Sequence, residues 1–185
     1  QALVKHKLEP NLSLMPAGNP RMLEWLTPDD MKTVANLVAE RADYVLIDCP
    51  AGVEQGFKNA AAACREAIVI TTPEMSAVRD ADRVIGLLNS QGIQPVQLVL
   101  NRVRPKMVAN QEMLAVDDVT DILALPLLGL VVEDEQVIVS TNRGEPLTLN
   151  GTSSPAARAY MNVARRLRGE GVPLIDPTKE RRGLR

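Results

Sequence analysis

Tyr44-Val45-Leu46-Ile47-Asp48-Cys49-Pro50-Ala51-Gly52 is the stretch on which the reading of the chain turns. An apolar run with two β-branched residues predicts a strand buried on both faces, as in a parallel sheet covered by helices. Such a strand delivers its last residue, Asp48, to the carboxyl edge of the sheet, where ligands of open α/β folds bind. There the carboxylate suits Mg²⁺, directly or through a water, because that ion takes few protein carboxylates beside phosphate oxygens and water. Pro50 stiffens the turn, and Gly52, lacking Cβ, lets backbone N–H groups approach an anion. The alternative from spacing alone is an Asp that merely caps the next helix.

Working outward, the chain alternates helices and strands. Leu12-Ser13-Leu14-Met15-Pro16-Ala17-Gly18 reads as a short strand running into a turn, as though earlier strands preceded it, and with no initiator Met the expectation is an N-terminally truncated chain. Thr27-Pro28-Asp29-Asp30 has the signature of a helix start, with Met31, Val34, Leu37 and Val38 as the buried stripe and an end near Arg41. Further helices are expected over 54–65, 76–91, 111–123 and 135–142 and from Ser154-Pro155 onward. Strands are expected over 67–72, 96–100 and 127–132. The 76–91 helix turns Val78, Ala81, Ile85 and Leu88 inward and Arg79, Asp80, Asp82 and Arg83 outward. The last helix has Ala157, Tyr160, Met161, Val163, Ala164 and Leu167 as its apolar side. Asn101-Arg102 ends a strand, and an Asn there can pair with two adenine edge atoms at once.

The order of the motifs is more specific than any one of them. Asp48-Cys49-Pro50-Ala51-Gly52 resembles the Walker B and switch II segment of septum-site-determining ATPases of the MinD family, in the deviant-Walker ParA/MinD class of P-loop ATPases. Glu66 to Glu74, Ser76 to Arg83, Met113 to Val119, Glu133 to Val137 and Asn142 to Pro146 resemble successive segments of that family, in the same order. The resemblance implies an α/β fold, a partial P-loop NTPase with a mostly parallel sheet flanked by helices and without the N-terminal strand and P-loop. The expected division is a P-loop ATPase portion over 1–168 and a linker and basic tail over 169–185.

The resemblance also implies ATP and Mg²⁺ as cofactors, with Asp48, Pro50, Gly52, Asn101, Arg102, Glu133 and Asp134 at the nucleotide and Asp48 on the metal. Val132 stands where many relatives have a proline before Glu-Asp, which loosens the adenine role of that segment. Arg79, Asp80 and Asp82 become candidates for the face that binds MinC- and MinE-like partners. An ATP-dependent homodimer is implied, cytoplasmic and peripheral on the inner face of the cell membrane, cycling with ATP hydrolysis to place the division septum.

The tail Lys179, Arg181, Arg182, Leu184 and Arg185 resembles the beginning of the family's amphipathic membrane-targeting helix. Without further apolar residues a basic tail is attracted to anionic lipid but lacks the face that holds a helix in the interface.

Composition bounds the rest. The chain has 185 residues, 45% of them hydrophobic, and only 2% aromatic, so the core is aliphatic and base stacking on aromatic rings is not its mode of binding. Residues 165–185 carry seven basic and three acidic side chains, a net of +4, which leaves −6 for residues 1–164 out of a total of −2. That balance argues against specific nucleic-acid binding and against a ParA-type partition ATPase acting on DNA. Cys49 and Cys64 lie too far apart in sequence for a CxxC pair, so neither a metal site nor an iron-sulfur carrier is expected.

No Gly-rich loop followed by Gly-Lys-Thr occurs in the 185 residues. No catalytic residue is therefore assigned, and the chain by itself is expected to be inactive. A non-catalytic partner-binding module is the alternative from another functional class.

Overall fold

Val96–Val103 forms strand β4, the centre of the sheet, and its Leu98 and Leu100 are 0% exposed. It is flanked in parallel by β3 (Ala67–Thr71) and β5 (Leu127–Val132), so the order is β3-β4-β5. This is a computed structural model, describing residues 3–7, 9–16, 25–50, 52–150 and 154–175. The expected basic tail, Lys179 to Arg185, lies outside the described residues, as do Ala17, Gly18 and Ala51. The chain folds as two compact units, residues 1–64 and 65–185.

In the second unit parallel strands need crossovers, and helices supply them. Helix α3 (Met75–Ser90) joins β3 to β4, with Val78, Ala81, Ile85 and Leu88 buried as their 3.6-residue spacing dictates. Between β4 and β5 come α4 (Pro105–Ala109) and α5 (Val116–Leu123). The pattern of residues predicts one helix over 111–123. Instead Gln111 has φ 59, and the α5 helix begins only after Ala115, whose N–H donates to Asp118 Oδ2 at 3.1 Å. Pro105 at the first position of α4 was the unread start signal.

Helix α6 (Glu135–Arg143) ends at Gly144, whose φ of 68 lies in the left-handed region that favours glycine. A 3-10 turn, Leu147–Asn150, follows. Helix α7 (Pro155–Leu167) packs against β5, with Val99, Leu128, Val131, Ala156 and Ala159 as a core and Tyr160, Val163 and Leu167 beside it. Met161 and Ala164, expected on the apolar side, are exposed. Ala156, Ala157 and Ala159 are buried, and Tyr160, Val163 and Leu167 are half-buried.

Glu170, Val172 and Pro173, at the start of the stretch that reads as linker by composition, are held by side chains of α7. Arg165 pairs with Glu170 at 2.7 Å, and the Arg166 guanidinium donates to the carbonyls of Leu128 at 2.9 Å, Val172 at 2.8 Å and Pro173.

In the first unit a short hairpin pairs β1 (Val4–Lys5) with β2 (Ser13–Leu14). Helix α1 (Pro28–Ala39) starts as its sequence predicts: Thr27 Oγ1 accepts from Asp30 N at 3.2 Å, and Asp30 Oδ2 accepts from Thr27 N at 3.0 Å. Thr27→Ala is expected to cost about 1 kcal/mol, read as lost helicity and a lower urea midpoint. The half-buried face of α1 is Met31, Val34, Ala35 and Val38, while Leu37 is exposed because it projects roughly 100° away from them. Helix α2 (Gln55–Ala63) packs on α1, and its buried Asn59 donates to Leu26 O at 2.8 Å and accepts from Gln55 Nε2 at 2.8 Å.

Residues 44–50 overturn the expectation drawn from their hydropathy. They form no strand, and Tyr44 and Leu46 are 63% and 82% exposed. Hydropathy asks for burial, but a strand also needs a neighbour to take its N–H and C=O groups. Among the described residues no strand pairs with this one.

Candidate functional site

The carboxyl ends of β4 and β5 bring together residues that lie some thirty positions apart in the chain. At the end of β4 the ladder slips between Leu100 and Val103, and Arg102 takes φ 55. A non-glycine residue held there is uncommon, and such irregularities re-aim side chains at sheet edges. The turn is stabilised locally by Arg102 N donating to Asn101 Oδ1 at 2.9 Å. That bond uses one of the two acceptor positions on the Asn101 carboxamide oxygen.

Glu133 follows the last residue of β5, and its N–H donates to Val103 O at 3.0 Å. Its carboxylate receives two arginines. Arg104 forks onto it, Nη2 to Oε1 at 2.9 Å and Nε to Oε2, while Arg102 Nη2 reaches Oε1 at 3.1 Å. The Arg104 hydrogen bonds hold the Glu133 carboxyl below the ordinary carboxylate range, with Arg102 adding to the effect, and the same contacts raise Arg104. Glu74, at the start of α3, adds a further negative charge toward Arg104.

Asp134 turns the other way. Its Oδ1 accepts from Gln136 N at 2.9 Å, capping α6, and its Oδ2 accepts from Ser154 Oγ and from Ala156 N at 3.4 Å, at the start of α7. Burial raises its carboxyl, but the bonds from Ser154, Gln136 and Ala156 outweigh it, and the net direction is down.

The remaining candidates sit as follows. In the first unit Asp48 is exposed, in a stretch that is neither helix nor strand. Pro50 lies over the first turn of α2, where a Cβ on Gly56 would come within 2.6 Å of its ring, and Gly52 has φ 91, a glycine conformation. In the second unit Arg79, Asp80 and Asp82 share the exposed side of α3.

Arg104 and Ser154 are partners of the site residues that the motifs do not name. The signal for Arg104 is its place two residues after Arg102, at the end of a strand. Nothing local pairs Ser154 with Asp134, 20 positions away.

Neither cysteine has the setting of a metal-bound thiolate. Burial, then the Asp48 carboxylate and Cys64, push the Cys49 thiol up, and burial does the same to Cys64. Among the described residues no group of three or more His, Cys, Asp or Glu side chains could hold a metal ion, and no helix is long and apolar enough to cross a membrane. Mg²⁺ needs no such cluster, because one carboxylate with phosphate oxygens and waters is a normal donor set, and Asp48 fits it.

Residues 19–168 match the family described as ParA, NUBPL iron-transfer P-loop NTPase. The putative septum site-determining protein MinD of Guillardia theta is 51% identical over 183 residues, covering 99% of this chain and 68% of the relative. The MinC:MinD cell division protein complex of Aquifex aeolicus matches with a TM-score of 0.85 at 37% identity, over 94% of this chain and 69% of that one. The septum site-determining protein MinD complexed with Mg-ADP from Pyrococcus horikoshii matches with a TM-score of 0.77 at 24% identity, over 90% and 67% of the two chains, a likeness of fold. The chain spans about two thirds of the curated relatives' length, between 64% and 69%.

Proposed function

The chain belongs to the MinD family of ParA-type P-loop NTPases, and on that footing we propose that it serves an ATP-driven cycle that places the cell-division septum. The observation that carries the reading is the convergence of Asn101-Arg102 and Glu133 at the carboxyl edge of a parallel sheet, where α/β folds bind their ligands. Asn101 and Arg102 contact the adenine base of ATP, and the backbone around Glu133 and Asp134 borders it. Asp48 holds Mg²⁺ through a water, with Pro50 and Gly52 shaping the loop that meets the γ-phosphate. The metal, when bound, neutralises the charge that develops as the phosphoryl group moves to water. The 185 residues contain no Gly-rich phosphate loop, so this chain alone neither binds ATP tightly nor hydrolyses it.

Around that reaction we place an ATP-dependent homodimer, MinC- and MinE-like partners on the face with Arg79, Asp80 and Asp82, and a peripheral position on the cytoplasmic side of the membrane. The basic residues Lys179, Arg181, Arg182 and Arg185 draw the tail to anionic lipid. Two tethered tails in a dimer bind far better than one, which couples nucleotide state to membrane residence.

The test compares the 185-residue chain with the product of the complete reading frame. Turnover of ATP is measured with Mg²⁺, with and without anionic vesicles and the MinE-like partner. Vesicle-stimulated hydrolysis by the latter and none by the former is the expected result. Absence of stimulated turnover in the complete product would sink the reading.

A further inference from the structure

Three ionised side chains meet at the ends of β4 and β5, and they are not equivalent. Arg104 gives Glu133 two parallel hydrogen bonds, whereas Arg102 gives it one, on an oxygen that Arg104 already serves. Arg104 is also held from its own side. The following Pro105 restricts it to extended backbone, observed at φ −108 and ψ 98, and its Nη1 lies 3.7 Å from Met107 Sδ in α4. Arg102 has a left-handed backbone, and its side chain is the more exposed of the two, 64% against 46%. Detaching Arg102 leaves Glu133 still paired; detaching Arg104 leaves it with a single exposed contact of little worth.

We propose that Arg104, a residue outside the nucleotide contacts assigned above, is a positioning residue for the base site: it clamps Glu133 to the end of β4, holds the 132–134 backbone in place, and frees Arg102 to move onto a ligand. This rests on the nucleotide reading. The consequence is a division of labour within Asn101-Arg102-Val103-Arg104, with the first two residues facing the base and the fourth keeping the opposite wall in register. An arginine is needed, because a lysine keeps the charge but cannot fork onto both carboxylate oxygens.

The experiment titrates ATP and GTP, with Mg²⁺, into the product of the complete reading frame and its Arg104→Ala, Arg104→Lys, Glu133→Gln and Arg104→Ala/Glu133→Gln variants, with thermal unfolding followed for each. Arg104→Ala is expected to weaken ATP about tenfold, the loss of charge-assisted hydrogen bonding, and to narrow the preference for ATP over GTP. Arg104→Lys should recover less than half of the loss while unfolding like the wild type. If Arg104 acts through Glu133, the double variant loses no more than Glu133→Gln alone. ATP affinity within twofold of wild type and an unchanged ATP/GTP ratio in both Arg104 variants would overturn the inference and leave the nucleotide reading intact. Losses that multiply in the double variant would overturn it as well. A wild type that binds neither nucleotide would defeat the nucleotide reading itself.

Discussion

Asp134→Ala is expected to lower the stability of the second unit by about 2–3 kcal/mol, the sum of a lost helix cap and lost hydrogen bonds to an ionised acceptor. One carboxylate serves two helix starts. It caps α6 through Gln136 N at 2.9 Å, and it holds Ser154 Oγ and Ala156 N at the head of α7. Ser154 in turn accepts from Ala157 N at 3.2 Å, so removing Asp134 loosens the residue that caps α7. Asn in its place keeps the shape but turns one acceptor into a donor, and Asp134→Asn should lose roughly half as much.

The effect depends on pH in a defined sense. The folded carboxyl lies below its ordinary value of 3.8, so its stabilisation is complete above that value and is lost as pH falls through the lower folded one. Urea unfolding at pH 7 should therefore separate wild type from Asp134→Asn, and the gap should close in the acid range below about pH 4. Hydrogen exchange provides the local check. Amides at Gln136 and Ala156 should lose protection in Asp134→Ala, and a loss under 1 kcal/mol with both amides unchanged contradicts the argument.

Gly129→Ala is expected to cost about 1–3 kcal/mol, the usual range for overpacking a tight contact. A Cβ on Gly129 would lie 2.2 Å from Val163 Cγ2, which real atoms do not tolerate, and 3.7 Å from Val99 Cγ2. Val163 is β-branched and sits in α7, where one χ1 rotamer dominates, so it cannot simply turn away. The relief available is for α7 to move off β5, the contact on which the Val99-Leu128-Val131-Ala156-Ala159 core depends. Pairing the change with Val163→Ala should restore much of the loss, since the clash is with that one methyl group. An unfolding midpoint for Gly129→Ala matching wild type would show that the helix and strand have room that the packing denies them.

The two glycine positions also show how differently positions can be read. Gly144 announces itself as a helix stop beside a charged, polar stretch, and it is one, at φ 68. Gly129 in Leu127-Leu128-Gly129-Leu130 looks like an ordinary interruption of a strand. Only the approach of Val163 in α7, more than thirty residues later, gives it a reason.

What the amino-acid sequence by itself determined was the local structure with a strong period and a clear boundary: β5, the buried face of α3, the caps at Thr27 and Ser154, and the ordered family motifs from Asp48 to Asn142. The helix faces and caps are carried by neighbours three or four residues apart, and β5 by a contiguous apolar run, all within reach of local propensity and capping chemistry. Tertiary structure alone decided three further matters. Residues 44–47, apolar enough for a buried strand, have no strand partner among the described residues, and pairing requires a neighbour that hydropathy cannot supply. Arg104 and Arg102 find Glu133, and Asp134 finds Ser154, because parallel strands with helical crossovers bring distant ends to one edge. The site at that edge was half legible for the same reason: its residue types are written locally, whereas their partners are chosen by topology.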